Sequence, residues 1–73
     1  MKMKYSEIKY VLMAISEAET YLADGYRTIA SFGNGLSWFA TLRHQRNGNH
    51  VTFYAGQRGY IVRKNGKIIK TVK

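Results

Sequence analysis

Apolar residues along this chain follow two different periods. From Ile8 onward they recur at Val11, Leu12, Ile15, Ala18 and Leu22, the three-and-four spacing that lines one face of an α-helix. Ser6 precedes the run as an N-cap, and Glu7 follows it where the helix dipole favours an acid. Tyr5 and Tyr10 occupy hydrophobic-staple positions, and Asp24-Gly25 is a C-terminal stop signal. These features predict a helix over about residues 6–24, its apolar stripe buried on a sheet.

Beyond Gly25 the period shortens to two. Three Asn-Gly pairs, Asn34-Gly35, Asn47-Gly48 and Asn65-Gly66, separate segments rich in β-branched and aromatic residues. Asn-Gly is a strong hairpin signal, because a type I′ turn needs two successive residues at positive φ. Strands are predicted at about 26–33, 36–46, 49–56, 60–64 and 67–73, with no proline to disqualify any of them. The fold class is α+β. An N-terminal amphipathic helix packs on a five-stranded antiparallel β-meander, and residues 1–73 form one domain. The alternation leaves open whether the sheet stays open or curls toward a barrel.

A two-residue turn at Asn47-Gly48 pairs His44 with Val51, Leu42 with Phe53 and Ala40 with Ala55. One face then carries Trp38, Ala40, Leu42, Val51, Phe53 and Ala55, a core face for the helix. The other carries Phe39, Thr41, Arg43, Gln45, His50, Thr52 and Tyr54. Extending through Asn34-Gly35 adds Ile29 to the first face and Tyr26, Thr28, Ala30 and Phe32 to the second. Polar residues on a solvated antiparallel face are ordinary, but aromatics there call for a ligand or a covering layer. Asn65-Gly66 pairs Lys64 with Lys67 and Arg63 with Ile68, and its faces come out mixed.

Charge sharpens this picture. The chain carries a net +8. All four acids, Glu7, Glu17, Glu19 and Asp24, lie among the first 24 residues beside three lysines, a net of −1. The remainder carries nine cations and no acid, +9. Such a segment attracts polyanions: nucleic acid or an acidic protein surface. Lys64, Lys67, Lys70 and Lys73 suit an aggregation-protected edge strand as well as they suit phosphate contacts. Arg58, in Gly56-Gln-Arg-Gly59, is placed to meet a backbone phosphate.

The absence of cysteine excludes disulfides and thiolate metal sites and points to a reducing, cytoplasmic setting. Lys2 and Lys4 before the apolar run at 10–15 have the outline of a signal peptide, but the run is short and Glu7 and Lys9 crowd it. No run has the length of a membrane span, and a mildly acidic helix does not suit a membrane surface. No cofactor or metal motif is present, and the segment predicted as sheet lacks the carboxylates that most metal-assisted hydrolysis needs. His44 and His50 are predicted on opposite faces, so a joint acid–base pair is not expected. Glu17 and Glu19 read as solvated charge.

Three functional readings follow. The first is a nucleic-acid-binding module, single strands favoured. Tyr26, Phe32, Phe39 and Tyr54 stack bases, while Arg43, Arg46, Arg58, Arg63, Lys64, Lys67 and Lys70 meet phosphates. In style this resembles the stacking sheets of RNA-recognition and OB-type domains, without the motif of either. The second is a small inhibitor, similar in size and composition to accessory proteins of phages and mobile elements, that occupies an acidic surface of a host defence or nucleic-acid enzyme. The third is a ribonuclease toxin built on His50, Arg43 and Tyr54. A homodimer through the open face is the rival account of its aromatics.

Overall fold

The computed structural model describes residues 5–73, apart from the side chains of Tyr5 and Glu7. The helix α1 spans Tyr5–Ala23, and five strands follow: β1 Tyr26–Gly33, β2 Trp38–His44, β3 His50–Ala55, β4 Tyr60–Lys64 and β5 Lys67–Val72. The strands form an antiparallel meander in the order β1-β2-β3-β4-β5. No ladder joins β1 to β5, so the sheet stays open and does not close into a barrel. Among the described residues no helix is long and apolar enough to cross a membrane.

Ser6 lies inside the first described turn of α1 rather than capping it. The Tyr5–Tyr10 staple, the role of Glu7 and the leader-like Lys2 and Lys4 lie outside the described residues or side chains. At the other end Gly25 stops the helix as expected. Its φ is +105°, its N–H donates to the Leu22 carbonyl at 3.3 Å, and a Cβ there would come 3.0 Å from Nε2 of His44.

The buried stripe of α1 is rotated from the predicted one. Val11, Ala14 and Ala18 are buried, flanked by Tyr10, Ile15 and Tyr21, whereas Leu12 and Leu22 are exposed. Small side chains let the helix lie close on the sheet, and Tyr21 fills the remaining gap edge-on to Phe53 at 5.7 Å. Beneath lie Ala40, Leu42, Val51, Phe53, Ala55, Tyr60 and Val62.

Each predicted two-residue connection behaves differently. Asn65 and Gly66 both take positive φ, as a type I′ turn requires, and pair Lys64 with Lys67. At Asn47-Gly48 the loop is longer: Arg43 pairs with His50, Leu42 with Val51 and Ala40 with Phe53. This register lies two residues from the expected one, and a shift of two leaves every side chain on its predicted face. At 34–37 the Asn34 carboxamide caps the loop, accepting from the N–H groups of Leu36 and Ser37 at 3.1 and 3.0 Å.

Two β-bulges complete the geometry. The register of β1 shifts between Thr28 and Ala30, and that of β5 jumps from Ile68 to Lys70. The first turns Tyr26 toward the helix, where it is 7% exposed, and leaves Ile29 exposed instead of in the core. The second brings Lys70 opposite Val62 on the helix face. There Glu17, expected to be solvated, accepts from the Lys70 ammonium at 2.7 Å and from the Tyr60 hydroxyl at 2.8 Å. This is the only ion pair among the described residues.

Candidate functional site

The face of the sheet away from α1 is read most simply as three rows crossing the strands. At one end Phe32, Phe39, Tyr54, Ile61 and Thr71 stand opposite one another across all five strands. In the middle are Ala30, Thr41, Thr52, Arg63 and Ile68. At the other end are Arg27, Arg43 and His50. Residues opposite one another on an antiparallel pair share a face, so each row is a continuous strip of side chains.

The first row is aromatic. The Phe32 and Phe39 rings are 5.8 Å apart and tilted, and Phe39 meets Tyr54 edge-on at 4.9 Å. Phe32 is 74% exposed and Tyr54 45%, with Phe39 half-buried between them. The Arg63 guanidinium reaches across from β4 to lie 5.7 Å from the Tyr54 ring centroid. A shallow apolar hollow of about 390 Å³ opens where Phe32, Phe39 and Tyr54 meet Trp38. A second of about 410 Å³ lies on the other side of Tyr54, bordered by Arg58, Ile61 and Lys73. Arg58 sits in a tight connection closed by the Gly56 N–H donating to the Gly59 carbonyl at 2.9 Å. Gly59 is required there, since a Cβ would fall 2.1 Å from the Val72 carbonyl oxygen.

The third row is cationic. Arg27 and Arg43 are directly opposed, and His50 flanks Arg43 on its other side. Like charges directly opposite across strands repel. The Arg43 guanidinium extends toward the 45–49 loop, within 3.8 Å of where a Cβ on Gly48 would stand. Arg46 in that loop is exposed, and Lys64 and Lys67 flank the neighbouring β4–β5 turn. This end of the sheet is firmly built. The Asn65 side chain accepts from the His50 N–H at 2.8 Å and donates to the Asn49 carboxamide at 3.2 Å. His44, on the helix side, accepts the Arg46 N–H at Nδ1, so its Nε2 carries a proton donated to the Asp24 carbonyl, both at 3.1 Å.

Of the residues anticipated from sequence, this face brings together Phe32, Phe39, Tyr54, Arg43 and Arg63, with Arg58 beside its aromatic end. Tyr26 is a correction: the bulge in β1 sends it into the core, edge-on to Tyr21 and His44. Lys70 lies on the opposite face, bound to Glu17. Arg27 is the residue sequence reasoning missed, because without the bulge it falls on the helix face of β1 rather than opposite Arg43. His50 and Arg43 are neighbours, but Tyr54 stands four residues along β3, roughly 13 Å away at strand rise. The three do not converge on one scissile bond. No cluster of metal-ligating side chains occurs among the described residues.

Comparison with protein-family models, curated proteins and solved structures finds no match.

Proposed function

We propose that this protein binds single-stranded nucleic acid on the open face of its sheet. The observation that carries the reading is the exposed aromatic row Phe32–Phe39–Tyr54, set on the same face as arginines that have no carboxylate partner among the described residues. Exposed aromatics accept unpaired bases of any sequence, and arginines supply phosphate attraction and a second stacking surface. Single strands are favoured over duplex. Among the described residues the one helix lies on the other face and carries three acids against one lysine, so no basic recognition helix is offered to a major groove.

The test is calorimetric titration with single-stranded DNA, single-stranded RNA and duplex DNA at about 50 and 200 mM salt. Single strands bind tighter than duplex, and affinity falls steeply with salt. Phe39→Ala and Tyr54→Ala each weaken binding by about 1–3 kcal/mol while the circular dichroism spectrum is kept. Absence of single-strand binding at about 50 mM salt overturns the reading and leaves an acidic protein surface as the partner to seek.

A further inference from the structure

We infer that the nucleic acid runs along the β-strands rather than across them, its bases on the aromatic row and its backbone phosphates on a separate subsite formed by Arg27, Arg43 and His50. This rests on the reading above and adds a phosphate site and a direction to it. The two rows share β1, β2 and β3 and are separated along each strand. Phe39 and Arg43 are four residues apart, about 13 Å at strand rise. One nucleotide cannot place its base on the first and its own phosphate on the second. At the stacked spacing of about 3.4 Å per nucleotide, the gap corresponds to about four steps, and to fewer where bases are splayed.

The arginine row has the chemistry of a phosphate site. Two arginines sit at paired positions on β1 and β2, like charges that disfavour each other there, and none of the described acids pairs with either. A bridging phosphate converts that repulsion into two charge-assisted hydrogen bonds, a geometry in which arginine excels. Arg46, Lys64 and Lys67 lie at the same end of the sheet and extend the positive field beyond the row. Between the rows, on β2 and β3, Thr41 and Thr52 present hydroxyls, and Arg63 on β4 adds a further cation.

The experiment titrates unlabelled thymidine oligomers of three and of eight nucleotides into the wild-type chain, the Arg27→Gln/Arg43→Gln double variant and Phe39→Ala. The wild type binds the octamer at least about tenfold tighter than the trimer, because only the longer strand joins both subsites. The double variant binds the trimer as the wild type does, loses the gain on lengthening, and has its salt slope for the octamer reduced by about 1.4, two phosphates at about 0.7 each. Phe39→Ala weakens both oligomers. Retained octamer binding with the double variant weakened equally for both lengths, or unaffected for both, overturns the two-subsite track and leaves single-strand binding standing. No binding of either oligomer to the wild type overturns both. Thermal denaturation of the double variant controls for folding: relief of the Arg27–Arg43 repulsion keeps its midpoint at or above that of the wild type.

Discussion

Replacing Glu17 by alanine tests what fastens the helix to the far side of the sheet. The backbone of α1 lies close to β1 to β4, and this carboxylate joins the helix to Lys70 on β5. The carboxylate accepts from Tyr60, a residue only 4% exposed, at 2.8 Å. A hydrogen bond to a charged acceptor contributes about 1.5–3 kcal/mol, and alanine also removes the acceptor of the Tyr60 hydroxyl. Lys70 is half-exposed, so water and salt screen its share. Loss of about 2 kcal/mol is expected, a large fraction of the stability of so small a domain. At about 4–8 °C per kcal/mol, Tm falls by about 8–16 °C. Urea denaturation with Tyr60→Phe, Glu17→Ala and the double variant measures the coupling directly. Glu17→Gln keeps an acceptor oxygen and retains part of the loss. Additivity of the two single changes within about 0.3–0.5 kcal/mol refutes the argument, because residues that share a bond must couple.

The same cluster predicts a loss of stability at alkaline pH. Burial, then the hydrogen bond to Glu17, raises Tyr60 above 10.0; burial, then the charge on Glu17, raises Tyr21 above 10.0; and the hydrogen bond to Glu17 raises Lys70 above 10.5. The folded state therefore keeps protons that the unfolded chain releases, so stability is full below pH 10 and declines above it. Urea midpoints at pH 8, 10 and 11 check this, and a midpoint that rises through that range contradicts it. The rotated helix stripe gives a paired expectation. Ala14→Leu drives α1 off the sheet and costs about 1–3 kcal/mol, whereas Leu12→Ala on the exposed side changes stability by less than about 0.5 kcal/mol; the reverse order in urea denaturation restores the original stripe.

The elements were legible because each has its own local signal. The strand from Tyr26 to Gly33 and the Asn65-Gly66 hairpin follow from alternation and turn chemistry alone, and both are observed. Faces were more robust than pairings. The β2–β3 register is off by two, yet Leu42 and Phe53 remain in the core, since side-chain direction depends only on parity. What escaped is what parity cannot see. A bulge adds one residue and inverts everything beyond it, and nothing in Arg-Thr-Ile-Ala-Ser distinguishes a bulged strand from a straight one. The helix stripe was misaligned for a different reason. Apolar spacing takes in Leu12 and passes over Ala14, but close packing on a sheet selects the smaller side chain.

The two bulges together account for how charge is distributed over the fold. The bulge in β5 carries Lys70 to the helix face, where it meets Glu17. The bulge in β1 does the reverse, carrying Arg27 to the open face opposite Arg43 while Tyr26 takes the core position beside Tyr21. A straight β1 would place Arg27 toward the helix side and separate it from Arg43. The observed strand instead assembles two like charges on a surface with no described acid to offset them. Burial of Tyr26 stabilises that choice from the other side, because the aromatic gains edge-on partners in Tyr21 and His44. One backbone irregularity thus strengthens the core and concentrates cations on the open face.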